Sequence, residues 1–240
     1  IKTAAETILW GKCINSGQTC VAPDYVFIPE GTSNQFIEVA RATVAKNYPG
    51  KLSSNSDYTS MINDRQLHRV NGLLEDAREK GAEVIALADA EDARSAGKLA
   101  PHLVLNVSED MQIMKEEIFG PLLPVKTYRG LDEVLEYINS HERPLAFYYF
   151  DDDRGRTEMM LKKTISGGVS VNTVMLHVLQ ENLPFGGVGN SGLGHYHAEE
   201  GFQTFSKMRP IFYQSKINGS ALLRPPYGKL TRLLLKLTLR

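Results

Sequence analysis

The chain has 240 residues, of which 42% are hydrophobic and 23% charged, and its net charge is −1. Such a composition suits a globular protein that buries a core, and it excludes the broad basic excess of a general nucleic-acid binder. Two cysteines, Cys13 and Cys20, are too few for a disulfide framework and fit a reducing, cytoplasmic setting.

No apolar run reaches the roughly 18 residues that span a bilayer. The opening residues Ile1–Glu6 lack the apolar core of a signal peptide and an initiator Met. The expectation is a portion of a longer protein.

Taken in chain order, residues 3–12 predict a helix running toward Gly17. Tyr25–Ile28 predicts a short buried strand closed by Pro29. Thr32 or Ser33 is placed to cap the next helix, whose apolar face is Phe36, Ile37, Ala40 and Val44. A second amphipathic stretch covers 64–80, with Leu67, Val70, Leu74 and Ala77 on one face and Gly81 as its stop. Val84–Leu87, His102–Val107 and Pro121–Tyr128 read as strands. Leu131, Val134, Leu135 and Ile138 stand at helical spacing. Ala146–Phe150 reads as a strand by its aromatics, 153–164 as a helix and Gly168–Asn172 as one more strand. This alternation predicts an α/β fold, a largely parallel twisted sheet with flanking helices. Beyond Asn172 the pattern gives way to a loop rich in glycine over Gly186–Gly194, then a basic, leucine-rich tail. Three segments are expected: an α/β domain over 1–172, a loop and return segment over 173–215, and a carboxy-terminal tail over 216–240.

Cys20 closes the run Asn15-Ser16-Gly17-Gln18-Thr19-Cys20, after a helix and a glycine and before a strand. A thiol on such a turn can stand exposed at the end of a sheet, where α/β enzymes place their chemistry. The loop's backbone N–H groups are suited to stabilising an oxyanion. The competing reading is a cysteine packed as a small hydrophobe, and spacing alone does not decide between them. No His lies nearby in sequence to serve as a base, so a Cys/His protease lacks local support. Cys13, within the preceding helix, is read as structural.

Gly17-Gln18-Thr19-Cys20 resembles the active-cysteine signature of the aldehyde dehydrogenase superfamily. Glu116-Glu117-Ile118-Phe119-Gly120-Pro121 resembles its second signature, and Leu183-Pro184-Phe185-Gly186-Gly187-Val188-Gly189-Asn190-Ser191-Gly192 its third, in the form typical of the class 3 branch. The ending Lys216-Ile217-Asn218-Gly219, with Arg224-Pro225-Pro226-Tyr227-Gly228, is similar to bacterial coniferyl aldehyde dehydrogenases. The resemblance covers nearly the whole chain. It implies an enzyme that oxidises an aromatic or long-chain aldehyde to its acid with NAD or NADP, through a thiohemiacetal and a thioester on Cys20. Thiolate chemistry suits that route, because the sulfur must both attack and leave.

The resemblance further implies that Glu117 accepts hydrogen bonds from a cofactor ribose, in preference to Glu116. It implies that Phe119 lies against the nicotinamide, that Phe185 touches the aldehyde, and that the intact enzyme is a homodimer. The family's amino-terminal dinucleotide-binding domain, its catalytic glutamate and its oxyanion asparagine lie before this region. The chain alone is therefore expected to fold at least partly but to be inactive. Alternatives are a coenzyme A-dependent acylating relative and a non-catalytic fragment retaining only fold and interface.

Other patterns carry less. Gly187–Gly192 fits G-x-G-x-x-G, but Pro184-Phe185 precede it and Ser206 and Lys207 stand where a dinucleotide site needs an acid. His195-Tyr196-His197 offers only two imidazoles, so no metal site is expected. The tail from Lys229 to Arg240 sets Lys229, Arg232, Lys236 and Arg240 among leucines at helical spacing. Docking on the protein or on a partner subunit is preferred there over a membrane surface.

Overall fold

The computed structural model describes residues 1–220 and 224–238. Packing groups the chain into two units, Ile1–Thr204 and Phe205–Arg240.

The first unit opens with helix α1 (Lys2–Cys13), whose Ala5, Ile8, Leu9 and Cys13 are buried. Strand β1 (Val26–Pro29) follows. It runs one residue further than expected, through Pro29, and lies at the edge of its sheet. A missing N–H costs no ladder bond when it faces outward from an edge. Helix α2 (Ser33–Asn47) buries Phe36, Ala40 and Val44. Neither expected residue caps it by its side chain: Thr32 holds the N-cap position, but its hydroxyl turns back to donate to the Pro29 carbonyl at 2.6 Å. Helix α3 (Asp64–Glu79) is capped instead by Asn63, whose side chain accepts from the Gln66 N–H. Its turned-in face is Val70, Leu73, Leu74 and Ala77, and Gly81 follows at φ +92°.

Strand β2 (Glu83–Ala86), helix α4 (Ala90–Ser95), strand β3 (His102–Leu105) and strand β4 (Leu122–Tyr128) follow. The sheet order is β1-β4-β3-β2. β1 and β3 run parallel to β4, and β2 is an antiparallel edge. Every residue of β3 is buried, as a central strand covered on both faces requires. Helix α5 (Leu131–Ser140) lays Val134, Leu135 and Ile138 on a smaller cluster with Met160 of helix α6 (Arg154–Lys163). Strands β5 (Ala146–Tyr149) and β6 (Gly168–Val171) form a separate parallel pair. The largely parallel α/β reading therefore holds, with one antiparallel edge and two sheets.

Beyond β6 the chain folds back as a loop tied by the reciprocal backbone pair Phe185–Tyr196, each N–H donating to the other's carbonyl at 2.8 Å. A Cβ at Gly187 would overlap the Ser191 carbonyl, so that close approach requires glycine. Helix α7 (Ala198–Thr204) ends the unit.

The second unit contains helix α8 (Lys229–Thr238). Leu230, Leu233 and Leu237 stand exposed along one side of it. The Arg240 of the expected tail pattern lies outside the described residues.

Candidate active site

Strand register brings the first two signature segments together. Val26 of β1 pairs with Val125 of the parallel neighbour β4. Cys20 and Phe119 each lie six residues before that paired position, so both precede their strands at the same end of the sheet. That end is the amino end of the parallel strands, not the carboxyl end where open α/β sheets usually hold ligands.

Direct contacts join the two loops. Asp24 Oδ1 accepts the Ile118 N–H at 3.2 Å. Gly17 backs onto Gly120, where any Cβ would overlap the Gly120 carbonyl oxygen, and Gly17 has φ +72°. Arg69, reaching across from α3, donates to the carbonyls of Glu117 and Ile118 and forms an ion pair with Glu116 at 3.3 Å.

This grip separates the two acids. The Glu116 carboxylate is held by Arg69. Glu117 has only its main-chain oxygen engaged in this way. Its carboxyl is raised above the usual range, first by desolvation and then by the nearby Asp24. Phe119 takes the left-handed conformation, φ +48°, and the residue is 40% exposed. Phe119, Glu117, Glu116, Gln18, Asn63 and Arg69 line a groove of about 610 Å³.

The cysteines divide as their settings dictate. Cys20 is exposed, and Cys13 is buried in the main core. Burial pushes the Cys13 thiol up to about 12, which keeps it protonated and unreactive. Beside it Lys12 is also buried, and desolvation lowers it to about 8 against the steadying charges of Asp24 and Glu117. Asp24 is raised by the same desolvation, opposed first by Lys12.

Upstream of Cys20 the backbone makes a left-handed turn, with φ of +49°, +51° and +72° at Asn15, Ser16 and Gly17. The Ser16 hydroxyl donates to the Thr59 carbonyl. The Gln18 carboxamide makes three bonds: it donates to Asn15 O at 3.0 Å and Ser60 O at 3.1 Å, and accepts from Ile62 N at 2.8 Å. Downstream, the Tyr148 hydroxyl donates to the Val21 carbonyl at 2.6 Å.

Phe185 stands in a further layer of rings and is only 8% exposed. It stacks on His197 at 5.8 Å between centroids and lies 6.2 Å from His177, which lies 6.0 Å from Tyr148. Rings thus lead stepwise from Phe185 to the residue after Cys20. His177 Nδ1 pairs with Ser170 at 3.0 Å, while its buried Nε2 has no partner among the described residues. His197 Nδ1 pairs with the Leu183 carbonyl at 3.2 Å. No group of three or more His, Cys, Asp and Glu gathers in a metal-binding arrangement among the described residues.

Sequence reasoning passed over Arg69, Asp24 and Tyr148, and quoted Gln18 without giving it a task. Arg69 had no detectable signal, because its partners in the Glu116–Ile118 loop lie 47 or more positions away along the chain.

The sequence model described as "Aldehyde dehydrogenase family" matches residues 1–211. A probable coniferyl aldehyde dehydrogenase of Pseudomonas aeruginosa is 49% identical over 242 residues, covering 100% of this chain and 50% of that protein. A dimeric NADP-preferring aldehyde dehydrogenase of Rattus norvegicus is 38% identical over 221 residues, covering 92% of this chain and 47% of that protein. A solved structure described as a substrate-bound state of Staphylococcus aureus AldH superposes with a TM-score of 0.85 at 33% identity, over 99% of this chain and 51% of that one. The chain spans about half the length of the curated relatives it matches.

Proposed function

The chain belongs to the aldehyde dehydrogenase family, and on that premise we propose that it is the cysteine-bearing portion of an NAD- or NADP-dependent enzyme that oxidises an aromatic aldehyde to its carboxylic acid. The observation that carries this reading is the juxtaposition of the exposed Cys20 loop with the groove lined by Glu117 and Phe119. The named activity of the Pseudomonas aeruginosa relative supports the aromatic class.

Cys20 supplies the nucleophile. Its sulfur attacks the aldehyde carbon to give a thiohemiacetal, and loss of hydride leaves a thioester that water cleaves to the acid. The nicotinamide cofactor, when bound, is the hydride acceptor. The groove suits it on two counts: Glu117 presents a carboxylate that Arg69 leaves available, as ribose hydroxyls require, and the half-exposed Phe119 offers a ring beside it. Arg69 and Asp24 hold the main chain of that loop in place. Phe185, at the end of the ring series, forms the inner wall toward the aldehyde.

The assembly is proposed to be a homodimer, supported by the dimeric rat relative. Helix α8 is read as docking on the protein or on a partner subunit, with its exposed leucines supplying the apolar side.

Steady-state kinetics of the natural protein carrying this chain test the reading. Cys20→Ala is expected to abolish aldehyde-dependent reduction of NAD or NADP. Glu117→Gln is expected to raise the cofactor KM with little change in kcat, a loss on the order of 1–3 kcal/mol for one charged hydrogen bond. Appreciable turnover by Cys20→Ala would overturn the assignment of the nucleophile.

A further inference from the structure

We propose that Gln18 is a positioning residue whose carboxamide holds the left-handed turn Asn15–Gly17 in the one shape that aims the Cys20 sulfur and the following backbone amides at the same carbonyl group. The inference rests on the reading of Cys20 as the nucleophile.

Three consecutive residues with positive φ are costly for a chain of L-amino acids. Only Gly17 escapes the steric penalty, and Asn15 reduces it. The turn therefore persists only where its surroundings fix it. Three side chains do so, on separate atoms. Ser16 reaches the Thr59 carbonyl, and Gln18 uses both ends of its amide, donating within the turn to Asn15 and across to Ser60 while accepting from Ile62. Asn15 reciprocates by donating its Nδ2 to the Gln18 carbonyl at 3.0 Å. The turn is thus tied to the 59–62 segment on one side and packs its Gly17 backbone closely against Gly120 on the other.

Cys20 itself emerges two residues past Gln18, before the Val21 carbonyl that Tyr148 secures. The sulfur lies between two anchored points and is itself exposed. Neither the Cys20 nor the Val21 amide donates to backbone among the described residues. Those N–H groups are available to an oxyanion formed when the sulfur attacks a carbonyl, provided the loop directs them.

Two reactions of the 240-residue chain separate positioning from simple exposure. Alkylation by iodoacetamide displaces iodide and forms no oxyanion. Acylation by p-nitrophenyl acetate does: the thiolate attacks the carbonyl carbon, the tetrahedral oxyanion collapses, the C–O bond breaks and p-nitrophenolate leaves with the electron pair, giving a thioester on Cys20. Peptide mapping by mass spectrometry follows both rates at Cys20 across pH.

In Gln18→Met, which loses both donors and keeps only a weak thioether acceptor, acylation is expected to fall roughly tenfold relative to alkylation, a part of the 10²–10³ that losing an oxyanion donor costs. Gln18→Glu keeps the acceptor for Ile62 but loses the donors, and should fall between Gln18→Met and wild type. It also carries the test if Gln18→Met fails to give a thermal unfolding transition. Parallel changes in both rates, or no change in either, would overturn the positioning role. A wild-type Cys20 that reacts no faster than Cys13 would overturn the nucleophile reading and this inference with it.

Discussion

Two cysteines seven positions apart have opposite fates because one faces the core and the other leaves a turn. Cys13 lies on the face of α1 that carries Leu9 and Ala5 inward, and its thiol is silenced by burial. Cys20 lies past a turn that redirects the chain, and it remains open. A comparable division governs the histidines. His102 begins the central strand β3, is 3% exposed, and pairs its Nδ1 with the Ala100 carbonyl at 2.7 Å. Burial is the main cause that lowers it from 6.5 to about 4. The unfolded chain therefore binds this proton first as pH falls, and stability is lost as pH drops from 6.5 toward 4. The loss approaches about 3 kcal/mol when complete. Urea denaturation of wild type and His102→Gln at a series of pH values should show a shallower acid slope in the variant. Equal slopes would show that other groups govern acid sensitivity.

Elements with a strong period were legible from sequence, and those fixed by distant partners were not. The face of α5 was written in the spacing of Leu131, Val134, Leu135 and Ile138, and the structure buries three of these four. β3 and β4 were visible as apolar runs, but the antiparallel direction of β2 was not, because pairing direction depends on the return path of the chain. The short helix α4 was missed although its start is marked: Asp89 caps it, accepting from the N–H groups of Glu91 and Asp92 at 3.0 Å. Its six residues are too few to show a period. At the site, the Cys20 loop and the Glu117 loop could be named from their motifs, whereas the clamp from Arg69 depends on α3 packing beside them and leaves no local trace. Caps are testable individually. Asn63→Ala removes the side-chain acceptor for Gln66 N–H at 2.9 Å, and should cost about 1 kcal/mol. Circular dichroism melting is expected to show a fall of about 2–4 °C for a chain of this size. An unchanged midpoint would mean that water replaces the cap.

Charge is distributed unevenly over the whole molecule. Residues 201–240 contain eight Lys and Arg and no Asp or Glu, so the preceding 200 residues carry −9 of the net −1. The fully buried members of all three apolar clusters come from the region up to Val174. A chain ending at Thr204 should therefore keep a single cooperative melting transition, with its midpoint within about 4 °C of the full chain, corresponding to a change of about 1 kcal/mol. Loss of the transition would show that Phe205–Arg240 is needed for the first unit to fold. A different consequence comes from the backbone contact between Gly17 and Gly120 and the β1–β4 register. Together they fix the separation of the two signature loops, whatever the number of residues threaded between them. Insertions and deletions in surface turns such as those near Pro49 and Ala96 are thus free to accumulate. Kindred sequences can differ in the spacing of these motifs and still bring the same atoms face to face.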